Sequence, residues 1–392
     1  MSETQVFARR PARLAGIAGI GVDRLGNLAD SAGDDLLRLE NLDVDLPPHP
    51  AALARTREAA TCDDDNSYLP FIGQLALRRT AAAHVARLSG QSYDETNCLV
   101  SAGGLSGILN VLLATIEVGD EVIVTDPTYA GLLNRIRLAG GVPRFVPLTF
   151  TPGAEWRLAR DALEAAINPK TRAFLLTSPS MPSGAVLERE DWEAIAALAR
   201  EHDLLLILDS AMERLLFDGR PLIHPLSLPG MAERSVVVGS ASKELRMIGW
   251  RVGWIVSPKA LIPDLVAVSL ANVVVPVGIA QAAAAIALEK SEEDLPSYVA
   301  ELQARRDLLM EELDGLPVGL PAGGWSLLLR TQDLGLSGAE ASDRLLAEGI
   351  AATPMTGWGP HNGAPFVRFV FSNENCERLK GMGKKVRYAL GA

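Results

Sequence analysis

Five short apolar runs, each giving way to polar residues, set the rhythm of the chain: 97–100, 121–127 (EVIVTDP), 173–179 (AFLLTSP), 204–209 (LLLILD) and 235–240 (SVVVGS). Between them lie stretches with helical character: 109–116 (LNVLLATI), a segment starting near Tyr129, and the amphipathic 187–203 (LEREDWEAIAALAREHD). Strands so short and so continuously apolar are buried on both faces, so the alternation predicts an α/β fold around a mostly parallel sheet. Such sheets place ligands beyond the carboxyl ends of their strands. The polar punctuation of this chain falls there, at 101–106, 126–129, 178–184, 209–213 and 240–243.

After residue 285 the texture changes. A helix over 296–316 (PSYVAELQARRDLLMEELDGL), strands at 326–330 (SLLLR) and 366–372 (FVRFVFS), and a helix at 341–349 (ASDRLLAEG) predict a smaller α+β domain. The expected division is a large domain over 46–285 and a small one over 286–392, with 1–45 forming an N-terminal arm and part of the small domain. At ~150 residues per domain, 392 residues agree with two. There is no internal repeat, and the alanine tract 282–285 reads as the inside of a helix.

Arg9, Arg10 and Arg13 precede an apolar stretch, 14–22, in the layout of a signal peptide. That stretch is short, holds three glycines and runs into Asp23 and Arg24, so an arm with small helical turns is expected instead. No run reaches the ~18 uncharged apolar residues of a membrane span.

Composition narrows the function. Hydrophobic residues make up 48% and charged ones 22%, an ordinary globular balance. A net charge of −11, with both signs mixed along the chain, argues against nucleic acid as a partner. Cys62, Cys98 and Cys376 are too few and too far apart for a disulfide framework, and the five histidines lack metal-ligand spacing. A reducing, cytoplasmic setting and no metal are expected.

The sharpest chemical signal is 240–254, SASKELRMIGWRVGW. A lysine where a strand enters a loop forms a Schiff base when its surroundings lower its pKa. Ser240 and Arg251 around it suit a phosphate. Asp209 closes an apolar run and needs a cation or donors if it is buried, unless it caps a helix. Arg368, flanked by apolar residues in FVRFVFS, needs an anion.

These segments, in this order, resemble the fold type I pyridoxal-phosphate enzymes, specifically the class I/II aminotransferases, over nearly the whole chain. The resemblance implies a large domain carrying pyridoxal 5'-phosphate, a small domain from both chain ends, and a homodimer acting on a small-molecule α-amino acid. It makes Lys243 the Schiff-base lysine and general base, Asp209 the partner of the pyridine nitrogen, and Tyr129 (DPTYAG) the ring stacked on the cofactor. The phosphate would meet the amides of Gly104 and Leu105 (SAGGLSG), Ser240, Ser242 and Arg251, with Tyr68 (NSYLPFIG) reaching the phosphate of the partner subunit. Arg368 would bind the substrate carboxylate, and Trp325 (GGWSLLLR) and the segment TPMTGWGP would line the small-domain side.

Two departures stand out. Met181 (SPSMPSG) occupies the asparagine position of the family's Asn-Pro-Thr-Gly-type segment, and Met212 (DSAMER) the position of a tyrosine. Both family residues donate hydrogen bonds to the cofactor's phenolic oxygen. Without them that oxygen holds the Schiff-base proton more tightly, which implies a Schiff base still protonated at neutral pH. The methionines also read as gap-filling packing. Glu213 and Arg214 read as solvated or paired helix residues.

A glycine that the family often has near Asn41 or Leu42 is missing, which implies a reshaped entrance. No Lys or Arg lies between Lys259 and Lys290, where dicarboxylate-using relatives often supply an arginine, so aspartate and glutamate are disfavoured as substrates. Transamination is the leading reading. The alternative keeps the cofactor and the same residues for elimination, replacement or cyclisation at Cβ or Cγ, as in an aminocyclopropane-synthase-like reaction on S-adenosylmethionine. A binding protein without catalysis is a third reading, opposed by the intact Lys243, Asp209 and Arg368.

Overall fold

The computed structural model describes residues 11, 14, 16, 17, 19, 22–30, 33 and 35–392, with only the backbone for 22–24. The arginines that raise the signal-peptide question, Arg9, Arg10 and Arg13, lie outside these residues.

The apolar runs form one eight-stranded sheet. Its strands are β1 (Cys98–Ser101), β2 (Glu121–Asp126), β3 (Val142–Thr149), β4 (Arg157–Leu158), β5 (Thr171–Thr177), β6 (Leu205–Asp209), β7 (Ser235–Ser240) and β8 (Gly253–Val256). Their spatial order is β1-β8-β7-β6-β5-β2-β3-β4. The central pairs β7-β6, β6-β5, β5-β2 and β2-β3 are parallel. β8 runs antiparallel to both β1 and β7, so the loop joining β7 to β8 returns across the carboxyl end of the sheet. That loop carries Lys243 and Arg251.

Alternation along the strands separates two buried faces. Ile123, Phe174, Leu176, Leu206, Leu208 and Val237 pack with α1 (Leu75–Ser89) and α4 (Arg189–Glu201). Their neighbours Val122, Val124, Leu175, Ile207, Val236 and Val238 pack with α2 (Gly104–Thr115) and α3 (Ala130–Leu138). This is the double cover expected of strands with no polar face, and no described helix is long and apolar enough to cross a membrane.

Beyond the sheet, α5 spans Ser291–Glu312 and starts earlier than the expected 296. Glu292, Glu293 and Asp294 in its first turn favour an N-terminus there, and Pro296 is carried inside the helix. A second sheet of three antiparallel strands joins β9 (Ser326–Arg330), β11 (Phe366–Val370) and β10 (Thr353–Pro354), with β11 in the middle. Leu37 and Arg38 pair in parallel with Ile350 and Ala351, so an N-terminal segment adds to the C-terminal part of the chain.

Candidate active site

At the carboxyl ends of the large sheet lies a cavity of about 240 Å³. Ten of the residues named from the sequence line it: Gly104, Leu105, Tyr129, Met181, Asp209, Met212, Ser240, Ser242, Lys243 and Arg251.

One wall is an anion cradle. β1 ends in a turn where Gly103 adopts φ +85°, a left-handed conformation open to glycine, and α2 begins at Gly104 with no side chain capping it. The first amides of α2 are therefore available to an anion. A side chain at Gly103 would collide with Arg251, its Cβ lying 2.7 Å from Nη2. Arg251 Nη1 donates to the Ile248 carbonyl (2.9 Å) and to Ser242 Oγ (3.4 Å), and the Ser242 amide donates to Ser240 Oγ (3.2 Å). Guanidinium, two hydroxyls and a helix N-terminus together fit a phosphate.

Asp209 closes β6 and Lys243 follows β7, so neighbouring parallel strands bring them to one cavity. Desolvation pushes the Asp209 carboxyl up to about 6, against the donation from the Ala211 amide to Oδ1 (3.2 Å) and the attraction of Lys243. A carboxylate held that way is satisfied by a cation facing it, as a pyridinium would be. The residues after Asp209 form turns and not a helix, so its bond to Ala211 is an Asx turn and not a helix cap. Lys243 Nζ donates to the Leu42 carbonyl (3.4 Å) and lies over the ring of Trp325, 3.8 Å from its centroid. Desolvation and then the Arg368 charge bring the amine down to about 7, where a neutral, nucleophilic form is accessible.

Arg368 is fully buried in β11. Its Nη2 donates to the Glu40 carbonyl (3.2 Å) and Thr353 Oγ1 (2.9 Å), while Nε and Nη1 have no partner. Desolvation lowers its pKa to about 10. Two enclosed donors left over on a guanidinium would fit a carboxylate. Trp358, in the segment that the sequence indicated, is fully buried and is not among the residues lining the cavity. Its ring supports Arg368 (4.7 Å) and meets Tyr129 (5.3 Å between centroids), and its carbonyl accepts from the Thr128 amide (2.9 Å).

Not every expected residue reaches this cavity. Tyr68 is 84% exposed and stands apart from the site of its own chain. Trp325 and Arg368 are fully buried and neither is among the residues lining the cavity; Trp325 lies against Lys243. Leu42, at the position where the family glycine is missing, also lines the space, as do Thr177, Ala211 and Ile248, which carry no sequence signal of their own. Met181 and Met212 are both there, with Ser326 Oγ 3.6 Å from Met181 Sδ.

Glu213 and Arg214 are neither solvated nor helical. Arg214 pairs with buried Glu244 (Nε to Oε2 2.7 Å). Glu213 is buried between His84 (3.8 Å) and His224 (3.6 Å), and burial raises its pKa and lowers those of both histidines, His84 to about 3. Only tertiary packing assembles this cluster.

The family model for aminotransferase class I and II matches residues 35–380, and the chain belongs to that family. An arginine–pyruvate transaminase of Pseudomonas aeruginosa is 35% identical over 333 residues, 84% of either chain. An aromatic-amino-acid aminotransferase of Thermococcus litoralis is 33% identical over 352 residues, 88% of this chain and 89% of that one. The N-succinyldiaminopimelate aminotransferase structure of Mycobacterium tuberculosis superimposes with a TM-score of 0.89 at 30% identity, over 97% of this chain and all of that one. The chain is thus a pyridoxal 5'-phosphate-dependent aminotransferase of fold type I. The relatives do not favour the elimination or cyclisation alternative.

Proposed function

We propose that this aminotransferase works through Lys243, Asp209, Tyr129 and Arg368 on an α-amino acid whose side chain is recognised without a second carboxylate. Pyridoxal phosphate, when bound, supplies an electron sink conjugated to the substrate nitrogen. Gly104, Leu105, Ser240, Ser242 and Arg251 hold its phosphate, and Tyr129 packs on its ring. Asp209 keeps a proton on the ring nitrogen. Arg368 turns its two spare donors to the substrate carboxylate and so fixes which Cα bond faces Lys243. Lys243 Nζ would take the proton from the substrate Cα, hold it as an ammonium, and return it to a neighbouring carbon on the same face.

The carrying observation is the convergence of Lys243, Asp209 and the phosphate cradle on one cavity. Among its described lining residues the cations are Lys243 and Arg251, and both have roles; Leu42, Leu105, Ile248, Met181 and Met212 leave the rest apolar. That supports a substrate side chain that carries no second carboxylate.

A second copy of the chain supports the site from outside. Tyr68, Phe71, Leu75, Val274, Val277 and Ile279 are exposed apolar residues. Their two segments lie together, with Gly278 against Asp65 and Leu69 and the Gln74 amide donating to Gln281 Oε1 (2.8 Å). A homodimer covers this patch and takes Tyr68 to the partner's cofactor. The expected division is 46–285 and 286–392, with 1–45 as an arm and part of the small domain, which the pairing of Leu37 and Arg38 with Ile350 and Ala351 supports; the free cysteines suit a cytoplasmic setting.

Single-turnover absorbance tests the reaction. Holoenzyme mixed with single amino acids, without keto acid, is expected to convert stoichiometrically to the pyridoxamine form with at least one amino acid whose side chain carries no carboxylate. Product release while the starting spectrum returns would contradict transamination.

A further inference from the structure

Each of the two substrate-facing cations rests on a buried tryptophan: Arg368 on Trp358 and Lys243 on Trp325. The second contact is the closer, 3.8 Å from Nζ to the ring centroid, and Trp325 has no exposed surface. The backbone around Trp325 is fixed, while its indole Nε1 is buried without a hydrogen-bond partner. The Trp325 carbonyl accepts from the Phe371 amide (2.9 Å), and β9 starts at the next residue beside the strand of Arg368. Before it, Gly323 wedges between the Leu215 carbonyl and Pro179, where a Cβ would come within 2.6 Å of both.

The amine that this ring touches has little else to hold it. Its hydrogen bond to Leu42 is long, at 3.4 Å. The charged groups facing it are Arg368 and Arg251, which repel the ammonium, and Asp209 and Asp43, which attract it. In the cofactor-bound enzyme Asp209 would be engaged by the ring nitrogen and Arg251 by the phosphate, which leaves the attraction of Asp43 and the repulsion of Arg368. The negative face of an indole, the strongest of the aromatic rings for this purpose, offsets that repulsion without forming an ion pair that would lock the amine in place.

We propose that Trp325 is a positioning residue for Lys243: its indole face fixes the direction of Nζ and stabilises the ammonium that exists while the lysine carries a proton between two carbons. The proposal rests on the aminotransferase reading of Lys243. It gives Trp325 a role toward the lysine in place of the substrate contact expected from the sequence.

The test uses the full-length chain freed of cofactor and follows pyridoxal phosphate capture by absorbance from pH 5.5 to 9, where only the neutral amine reacts. Rates for W325L and W325F are divided by the wild-type rate at each pH, which cancels the cofactor's own ionisations. Loss of the indole lowers the lysine pKa by ~0.5–1 unit, so the W325L ratio at pH 5.5 is expected to exceed its ratio at pH 9 by roughly 3–10-fold. W325F, with a weaker face, is expected to move in the same direction by less, and stays informative if the leucine variant does not fold. Capture lost in K243A with a pH-independent ratio for the Trp325 variants would overturn the role of Trp325 alone. Capture that persists in K243A would overturn the assignment of Lys243 and this proposal with it.

Discussion

Arg214 and Glu244 form a buried pair that joins the turn after β6 to the loop after β7. Nε lies 2.7 Å from Oε2, and the Arg214 amide donates to Oε1 at 2.7 Å. The turn follows Asp209 and carries Met212, and the loop carries Lys243, so the pair ties together two segments whose side chains line the cavity. Breaking one partner of a buried ion pair costs about 3–5 kcal/mol, whereas replacing both with apolar groups is often neutral. E244Q and R214M are each expected to lose stability of that order in denaturant unfolding. The double variant R214M/E244L is expected to lose less than the sum of the two.

The raised pKa of Asp209 makes a signed statement about stability. Its folded value, about 6, lies above the ordinary 3.8, so burial favours the neutral carboxyl. Stability from this group is fully present below about pH 4 and is lost as the pH rises through 6. In the cofactor-free chain D209N is therefore expected to gain on wild type between pH 4 and 7 by about 3 kcal/mol, a shift near two units at 1.36 kcal/mol each. Thermal or denaturant unfolding of both chains across that range checks it. With cofactor bound the order reverses, because the carboxylate then faces a cation.

Arg368 carries two enclosed donors with no protein acceptor, so its removal acts on substrate more than on the fold. R368A is expected to lower kcat/KM by roughly 30- to 4000-fold, the 2–5 kcal/mol of a truncated buried charge pair. R368K is expected to recover little, since an ammonium lacks the planar fork. Steady-state kinetics with an α-amino acid and with its amide separates the two effects: the amide is expected to be a poor substrate for wild type and to lose less on mutation.

Met181 and Met212 place thioethers, which donate no hydrogen bond, on the cavity wall. The Schiff base at Lys243 is accordingly expected to keep its proton at neutral pH, with no deprotonation below pH 8 in an absorbance titration. M212Y adds a phenolic donor and is expected to lower the midpoint by about one unit, a hydrogen bond to a charged oxygen expressed as a pKa shift. An unchanged midpoint would assign the methionines to packing.

Much of the site was readable in advance because it follows from local rules. Short apolar strands announce a parallel sheet, and its strand ends are where Asp209, Lys243 and the glycine turn at 103–104 fall. Packing across the chain is different. Trp358 meets Tyr129 from 229 positions away, and Trp325 reaches Lys243 from a different sheet. Leu42 contributes a carbonyl, which any residue type has. Glu213 looked like a surface acid because His84 and His224, which enclose it, are distant in sequence. The early start of α5 was hidden by Pro296, a residue usually read as a boundary.

The most direct measurement is borohydride reduction of the purified holoenzyme followed by peptide mapping in a mass spectrometer. The pyridoxyl group is expected on the peptide containing Lys243, and no peptide is expected to carry it in K243A. A label on any other lysine, or one that survives K243A, would contradict the assignment of the site.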